Sequence, residues 1–464
     1  MTLRPSHAFS IFFLGIALCS LLFIGAVGAG FPLINALIAG ISPLFPLLFF
    51  LSPLTLLETL LIMRPSLDRI SETTTIIIPF TENFSLSIAQ GFGAMVVLLG
   101  ILFFIQKRKS FWKMPLSLVF TILLLWGSLT LLYSENISRT LYELFRLFSI
   151  FFIFTFSYYL ITNRQRFIRL LLAITLSTLI PVLTAWMQFF LGIGYTDVAF
   201  SVPRMYGTFT HPNIFALYLI IAMGAVLSLF VLLPDKKHRF LLFFPLGTLF
   251  LALIFTYARA AWGTFFIFIG IFTLFKYPKA IPFLIITPLV LFFASTTIQD
   301  RFSDAFNFSP SSSFVWRVNL WKDTIGKTLQ ENKEVFGYGL NTFEQVAEDL
   351  RGLRFVVNDP HSEFVRSFVE GGYIGFGIFL FFSLAPVWLL WKKRLFFSSQ
   401  SPTRQTQQAS DVFLLLWALV IALLLLSFTD HVLRSTMAQW ILWAMIGGAL
   451  GTYTTHPVFH KKKE

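Results

Sequence analysis

Long apolar runs alternate along this chain with short polar segments, and many runs are as long as a membrane-spanning helix. Such a helix needs about 20 apolar residues. The candidate spans are 88–106, 115–133, 141–161, 167–191, 213–233, 240–257, 260–275, 280–295, 365–390, 411–428 and 435–453. Residues 8–63 are also apolar and hold two spans or three short ones, because glycines and prolines interrupt them. The pattern predicts an all-α polytopic membrane protein with about 12–14 transmembrane helices.

One polar segment is much longer than the others. Residues 296–364 separate two spans, where helix connections of about 2–8 residues are usual. Apolar residues recur within it at helical spacing, namely Phe314, Val318, Trp321, Ile325 and Leu329. We therefore expect a large loop with short helices, one of them amphipathic and lying at the membrane–water boundary. The Ser- and Gln-rich segment 391–411 is expected to be a flexible cytoplasmic loop.

Composition supports one integral membrane domain over residues 1–464. The chain is 56% hydrophobic and 12% charged, whereas soluble domains carry about 25% charged residues. The net charge of +13 does not indicate a nucleic-acid partner, because the basic residues form short clusters between the apolar runs. These clusters fall on alternate connections, as the positive-inside rule requires. The rule predicts a cytoplasmic C-terminus and places loop 296–364 on the external face.

Three arginines lie on the predicted external side, beside or between apolar runs: Arg204, Arg259 and Arg317. A lone guanidinium in hydrocarbon costs about 2.5–3.5 kcal/mol even on lenient scales. Arg204 precedes the span at 213, and Arg259 occupies a tight turn between two spans. Each has a structural reading, as an arginine that snorkels to the interface or that satisfies carbonyls at a helix end. Each also has a functional reading, since the guanidinium fork suits phosphate oxygens.

His361 is the candidate general base on the same side. Asp359 or Ser362 can cap a helix that begins near His361, which would then share one face with Val365 and Phe368. A lone histidine is often structural, but histidine is also the usual general base near neutral pH.

Four residues are candidates for a supporting role: Arg317, Tyr338, Glu363 and Arg366. Glu363 and Arg366 would lie beside each other on the helix. The sequence shows no carboxylate and histidine cluster at metal-ligand spacing, so we expect a reaction without metal or cofactor. The arginines would hold a pyrophosphate leaving group while the histidine deprotonates an acceptor hydroxyl. A lipid-linked donor would enter from the bilayer.

These segments together resemble the O-antigen ligase and O-antigen polymerase superfamily of bacterial membrane glycosyltransferases. The resemblance rests on Arg204 with GTFTHPN, Arg259 in YARAAWG, RFSDAFNFSPSSSFVWRVNLWKDTI, FGYGLNTF, HSEFVRSFVEGGYIG and SFTDHVLRSTMAQWILWAMIG. It implies a GT-C-like fold and metal-independent, inverting transfer of a glycan from undecaprenyl diphosphate. Arg204 and Arg259 would bind the lipid diphosphate, and His361 would activate the acceptor hydroxyl. Ser362 departs from the family, which usually has Asn after that histidine.

The resemblance leaves several functions open. An O-antigen ligase on the periplasmic face of the bacterial inner membrane is the leading hypothesis. A polysaccharide polymerase and a protein O-oligosaccharyltransferase share its motifs, and the acceptor would accordingly be a glycan, a lipid or a protein. An anion transporter is the alternative from another class. A transporter would place charges near the bilayer midplane, within broken helices and internal repeats, whereas here they cluster at the rim and no repeat is visible.

Overall fold

The computed structural model describes residues 44–73, 75–77, 85–107, 111–197, 200–304, 309, 313–351 and 359–454. The prediction of an all-α polytopic membrane protein is confirmed, because the described chain is almost entirely helical. Its strands form two short antiparallel hairpins. They are β1 (Thr75–Ile77) with β2 (Ser85–Ser87), and β3 (Tyr195–Asp197) with β4 (Phe200–Arg204).

Each of the eleven predicted spans from residue 88 onwards is helical. Within the described residues, eight helical stretches are long and apolar enough to cross a bilayer. The helices before the large loop are α1 (Leu44–Leu51), α2 (Pro53–Ser66), α3 (Asp68–Thr73), α4 (Ile88–Lys107), α5 (Ser117–Thr130), α6 (Ile137–Leu160), α7 (Arg164–Ser177), α8 (Leu179–Leu191), α9 (Pro212–Leu232), α10 (Lys236–Leu241), α11 (Phe243–Phe255), α12 (Arg259–Lys276) and α13 (Ile281–Ala294). Those after it begins are α14 (Thr296–Asp304), α15 (Ser313–Gln330), α16 (Phe343–Arg351), α17 (Glu363–Ser398), α18 (Arg404–Leu426) and α19 (Thr436–Thr454).

The apolar stretch 8–63 is described only from residue 44. There α1 and α2 follow one another, interrupted at Ser52, whose side chain caps α2 with Pro53 at its first position. Proline suits that position because its missing N–H would be unpaired there in any case. Residues 1–43 lie outside the described part of the chain, so the number of spans among them stays a prediction.

The amphipathic helix expected in loop 296–364 is present as α15, but its buried face differs from the prediction. Leu320, Thr324 and Thr328 are fully buried, whereas Phe314 and Leu329 are almost half exposed. The two threonines tolerate burial because their hydroxyls donate at 2.8 Å to backbone carbonyls four residues earlier. The buried face of α15 was therefore predicted wrongly, because the hydropathy pattern treats threonine as a polar, exposed residue.

The segment 391–411, expected to be a flexible loop, is mostly helical. Helix α17 continues to Ser398 and α18 begins at Arg404, which leaves only a short connection between them. Thr403 and Thr406 cap α18 reciprocally, since each side chain accepts the other residue's backbone N–H. This capping box explains how a polar segment starts a helix.

Helices α9 and α19 form the centre of the bundle, where nearly all their residues are buried. Helix α19 packs along α6, and Trp440 Nε1 donates a 2.9 Å hydrogen bond to Ser149 Oγ at that contact. Inside a bilayer such polar groups must find partners within the protein. The peripheral helix α13 buries no residue and presents apolar side chains outward.

Several connections meet at one end of the bundle, which we call the site end. Backbone hydrogen bonds join them there, from Glu135 to Tyr338 (3.2 Å), from Arg69 to Thr208 (2.9 Å) and from Glu363 to Ser427 (2.9 Å). The predicted external residues Arg204, Arg259, Arg317 and His361 all lie at this end. The fold thus brings together side chains that are far apart in the sequence.

Candidate active site

His361 lies in the turn directly before α17 and not on the helix. Ser362, one of the two expected caps, is the N-cap, and its Oγ accepts the Val365 N–H at 3.4 Å. The φ angle of His361 is +47°, which residues other than glycine rarely adopt. The Asp359 carboxylate supports this turn by accepting the His361 N–H at 3.0 Å. The expected helix face shared with Val365 and Phe368 is therefore wrong, because the helix begins only after His361.

The His361 imidazole is enclosed by a second imidazole and a carboxylate. It stacks on His431 with ring centroids 4.5 Å apart and an interplanar angle of 25°. Its Nδ1 lies 3.8 Å from Asp430 Oδ1, an electrostatic contact longer than a hydrogen bond. Burial lowers the pKa of His361, and the Arg317 charge lowers it further, although Asp430 opposes both. The neutral imidazole is therefore favoured near pH 7, as a general base requires.

Arg204 and Arg259 flank the same tight turn between α11 and α12. Arg204 is buried, and its Nε donates at 2.8 Å to the carbonyl of Thr256 in that turn. Tyr257 turns the chain with a φ of +52°, and Arg259 then opens α12. Arg259 Nη1 also donates to the Arg301 carbonyl at 3.4 Å. The predicted tight turn therefore brings the two candidate phosphate-binding arginines to one place.

Arg317 reaches the site from α15. Its Nη1 donates at 3.2 Å to the carbonyl of Thr429, beside Asp430. Burial lowers the pKa of Arg317; Asp430 opposes this, while the Arg259 charge adds to it. One helical turn later, Trp321 Nε1 donates at 2.6 Å to the Pro360 carbonyl. Helix α15 thus holds both loops that carry the stacked histidines.

Asn213 joins the arginine half of the site to the histidine half. Its Oδ1 accepts from Arg204 Nη2 at 3.0 Å, and its Nδ2 donates to Asp430 Oδ2 at 3.0 Å. His211 caps α9 by accepting the Asn213 N–H through Nδ1 at 3.1 Å, and this contact gives the histidine a structural role. Burial, with the Arg204 charge, lowers the pKa of His211 to about 4.

A network of ion pairs fixes Asp359 behind the histidines. Arg366 Nη2 lies 3.0 Å from both carboxylate oxygens, His431 Nδ1 lies 2.9 Å from Oδ1, and Arg434 Nη1 lies 3.3 Å from Oδ2. Burial alone would raise the pKa of Asp359, but Arg366 and His431 hold it well below its usual range. Arg366 therefore positions Asp359 and, through it, the His361 turn.

Glu363 and Arg366 do not pair with each other as the helical spacing suggested. Glu363 Oε1 accepts the Leu433 N–H at 3.0 Å, while the Glu363 N–H donates to the Ser427 carbonyl at 2.9 Å. The residue therefore ties the start of α17 to both ends of the connection between α18 and α19. That connection carries Asp430 and His431.

Tyr338 is buried among the packed side chains of the large loop. Its hydroxyl donates to Glu331 Oε2 at 2.9 Å, and its N–H donates to the Val369 carbonyl at 3.2 Å. The flanking glycine and Gly372 of α17 both have positive φ values, +69° for Gly337 and +58° for Gly372. A Cβ on Gly337 would lie 2.4 Å from the Glu370 backbone. The FGYGLNTF motif therefore docks the loop onto a break in α17, and Tyr338 contributes packing.

Three potential metal ligands lie together in the site, although the sequence indicated none. The donor atoms of Asp359, His361 and His431 fall within 4.8 Å of one another. Both oxygens of Asp359 already contact Arg366, and Arg317 faces the same loops. These positive charges favour an anion over a cation at this place.

Sequence reasoning missed Asp430, His431 and the linking role of Asn213. Asp430 and His431 stand next to each other in a short polar connection between two apolar runs. Two adjacent ionisable residues in such a short connection were the sequence signal that could have marked them as site residues. Only the fold shows that they contact His361, which precedes them by about 70 residues.

Comparison with known proteins agrees with the resemblance drawn from the motifs. A family model described as O-Antigen ligase matches residues 244–381, which include Arg259, Arg317, Tyr338 and His361. Arg204, Asp430 and His431 lie outside the matched segment. A search of curated proteins finds no match to the chain. The match covers less than a third of the chain, and over residues 244–381 it confirms the resemblance to the O-antigen ligase and polymerase superfamily.

Proposed function

We propose that this protein is an O-antigen ligase-like glycosyltransferase that moves a glycan from undecaprenyl diphosphate to an acceptor hydroxyl. The observation that carries the proposal is the Arg204–Asn213–Asp430 chain, which ends 3.8 Å from the His361 ring. It places a cationic group and a neutral base on two sides of one carboxylate. The family match supports membrane glycosyltransferase chemistry in general terms.

The arginines would bind the lipid diphosphate. Arg204 contacts the turn that precedes Arg259, and the charge of Arg259 lowers the pKa of Arg317. A guanidinium stays charged at neutral pH and presents a planar fork of donors that matches phosphate oxygens. As the glycan leaves, negative charge grows on the diphosphate, and fixed positive charges stabilise it most at that moment.

His361 would act as the base in a single displacement. The acceptor O–H gives its proton to the neutral imidazole while its oxygen forms a bond to the anomeric carbon. The bond from that carbon to the diphosphate oxygen breaks, and the lipid diphosphate leaves with the electron pair. Attack opposite the leaving group inverts the anomeric centre. The arginines supply the positive charge, so the proposed step requires no metal.

From the positive-inside pattern we infer that the site end faces the periplasm from the bacterial inner membrane, where lipid-linked glycans and their acceptors would meet. A polymerase and a protein O-oligosaccharyltransferase would use the same residues with a different acceptor. The test is incubation of the purified chain in lipid nanodiscs with glycan-linked undecaprenyl diphosphate and each acceptor class. Transfer to one acceptor with release of undecaprenyl diphosphate is expected; an unchanged donor with every acceptor would overturn the proposal.

A further inference from the structure

A cavity lies at the site end, beside Arg366 of the Asp359 network. It occupies about 730 Å³, counted to its open mouth, between α5, α6, α17 and the residues before α19. We call it the α6–α17 cavity. Its polar wall contains Glu143, Arg146, Glu363, Arg366, Glu370 and Arg434, and its floor is apolar, with Leu123, Ile150, Phe379 and Phe382.

The polar wall of this cavity is balanced in charge. Its three arginines face three glutamates, and Arg146 Nε donates to Glu143 Oε2 at 2.9 Å. Arg434 pairs with Glu344 at 2.5 Å, and Arg366 is held by Asp359. Since each of these arginines is already paired with a carboxylate, the wall suits a neutral polyhydroxyl ligand better than a phosphate. This balance distinguishes the cavity from the place where Arg204, Arg259 and Arg317 gather.

Two buried donors in the cavity lining have no hydrogen-bond partner among the described residues. They are Trp126 Nε1 and Arg366 Nε, and Arg366 is only 6% exposed. The Trp126 ring packs against the backbone of α17, where a Cβ on Gly371 or Gly375 would lie 2.5 Å from it. Buried donors are normally paired, so these two indicate a ligand or solvent that brings acceptor oxygens.

We propose that the α6–α17 cavity binds one uncharged saccharide ring. Ring hydroxyls would accept from Trp126 and Arg366 and donate to the glutamates, and the C–H face would lie on the apolar floor. Arg366 also holds Asp359, which accepts the His361 N–H at 3.0 Å. The cavity wall and the base are therefore joined through one carboxylate. Assigning this ring to the acceptor glycan rests on the proposed function; binding of a neutral sugar does not.

The test measures sugar binding without donor or transfer. Saturation-transfer NMR is recorded on the full chain in nanodiscs with N-acetylglucosamine, galactose, mannose, rhamnose and, as an anionic probe, glucuronate. We expect at least one neutral sugar to bind saturably and more tightly than glucuronate. Trp126→Phe retains a smaller aromatic ring but removes the N–H donor, and should weaken that binding at least about fivefold.

Trp417→Phe is the matched control, because Trp417 Nε1 is also buried with no hydrogen-bond partner in the described part of the chain but lies against Trp391 and Phe275, away from the cavity. Its sugar affinity should equal that of the wild type. Failure of every neutral sugar to bind the wild type, tighter binding of glucuronate, or unchanged affinity in Trp126→Phe would overturn the proposal. Because no donor is present, a negative transfer assay leaves this result standing. In an active enzyme, Trp126→Phe should raise the KM for the acceptor and leave the KM for the donor unchanged.

Discussion

The Asn213 side-chain amide donates a 3.0 Å hydrogen bond to Asp430, which lies 217 residues further along the chain. The same amide accepts from Arg204 at 3.0 Å. This pair of contacts connects the start of α9 to the connection between α18 and α19. It fixes the distance between the arginines and the stacked histidines.

Replacement of Asn213 by Leu should therefore uncouple the two halves. We expect kcat for glycan transfer to fall at least about tenfold, since both Arg204 and Asp430 lose a charge-assisted partner. Asn163→Ala is a suitable control, because Asn163 caps α7 at the opposite end of the bundle. It should cost about 1 kcal/mol of stability and leave kcat unchanged. Equal kcat values for Asn213→Leu and the wild type would contradict the linking role.

Arg259 should be sensitive even to lysine. Arg259→Ala should reduce transfer by about 100-fold or more, and Arg259→Lys should also be impaired, because an ammonium cannot reproduce the two-pronged phosphate contact. Initial rates over a range of donor concentrations measure both variants. Arg239→Lys is the control, because Arg239 lies at the opposite end of the bundle and donates there to the Leu233 carbonyl at 2.8 Å. It should transfer glycan at the wild-type rate. Full activity in Arg259→Lys would show that the reaction needs only a positive charge at this position and not the guanidinium geometry.

The pH dependence of kcat/KM should report His361. Burial and Arg317 lower its pKa from the ordinary value of about 6.5, so activity should rise with pH through a midpoint below that value and be level at pH 7. Asp430 opposes this lowering. Asp430→Asn should therefore move the acidic limb to still lower pH, whatever it does to the maximal rate. A midpoint above 6.5 in the wild type, or an upward shift in Asp430→Asn, would argue against His361 as the base.

Acid should destabilise the fold partly through His211. Its pKa is lowered to about 4 in the folded chain, so between about pH 6.5 and that value the unfolded chain binds the proton more readily. Stability should therefore fall as the pH drops through this window. His211→Asn retains a good helix cap. Its melting temperature should therefore fall less between pH 7.5 and pH 5 than that of the wild type. His238→Asn, on an exposed histidine, should behave like the wild type; identical pH sensitivity in all three proteins would refute the assignment.

Two glycines of α17 should respond differently to alanine. Gly372 has a φ of +58°, and a Cβ there would lie 2.3 Å from the carbonyl carbon of Val335, whereas a Cβ on Gly377 would meet open space. Gly372→Ala should cost about 2 kcal/mol or more through backbone strain and the clash, and it should displace the docked loop. Gly377→Ala should be neutral or stabilising. Thermal unfolding in nanodiscs compares them, and equal melting temperatures would contradict the docking account.

The helices were predictable because a bilayer imposes both length and composition on each span. All eleven runs from residue 88 onwards are helical, and the tight turn before Arg259 is where the sequence placed it. The buried face of α15 was not predictable from hydropathy, since Thr324 and Thr328 satisfy their hydroxyls within the helix. The start of α18 was placed too late because capping by Thr403 starts the helix within a polar segment.

The candidate site was only partly predictable in its membership. The arginines placed against apolar runs do lie at the same end of the bundle as His361. Asp430 and His431 were missed because their importance depends on contacts with His361 across the sequence. Conversely, Tyr338 was predicted to support the site, yet its hydroxyl donates to Glu331 within the packed loop.

The central claim is that Arg204 and its neighbours hold the lipid diphosphate while His361 takes the acceptor proton. The most direct measurement compares donor affinity with single-turnover transfer in two variants, His361→Ala and Arg204→Ala. We predict that His361→Ala binds undecaprenyl diphosphate glycan within about threefold of wild type but transfers it at least about 100-fold more slowly. Arg204→Ala should lose donor affinity. Wild-type transfer by His361→Ala, or wild-type donor affinity in Arg204→Ala, would contradict the account.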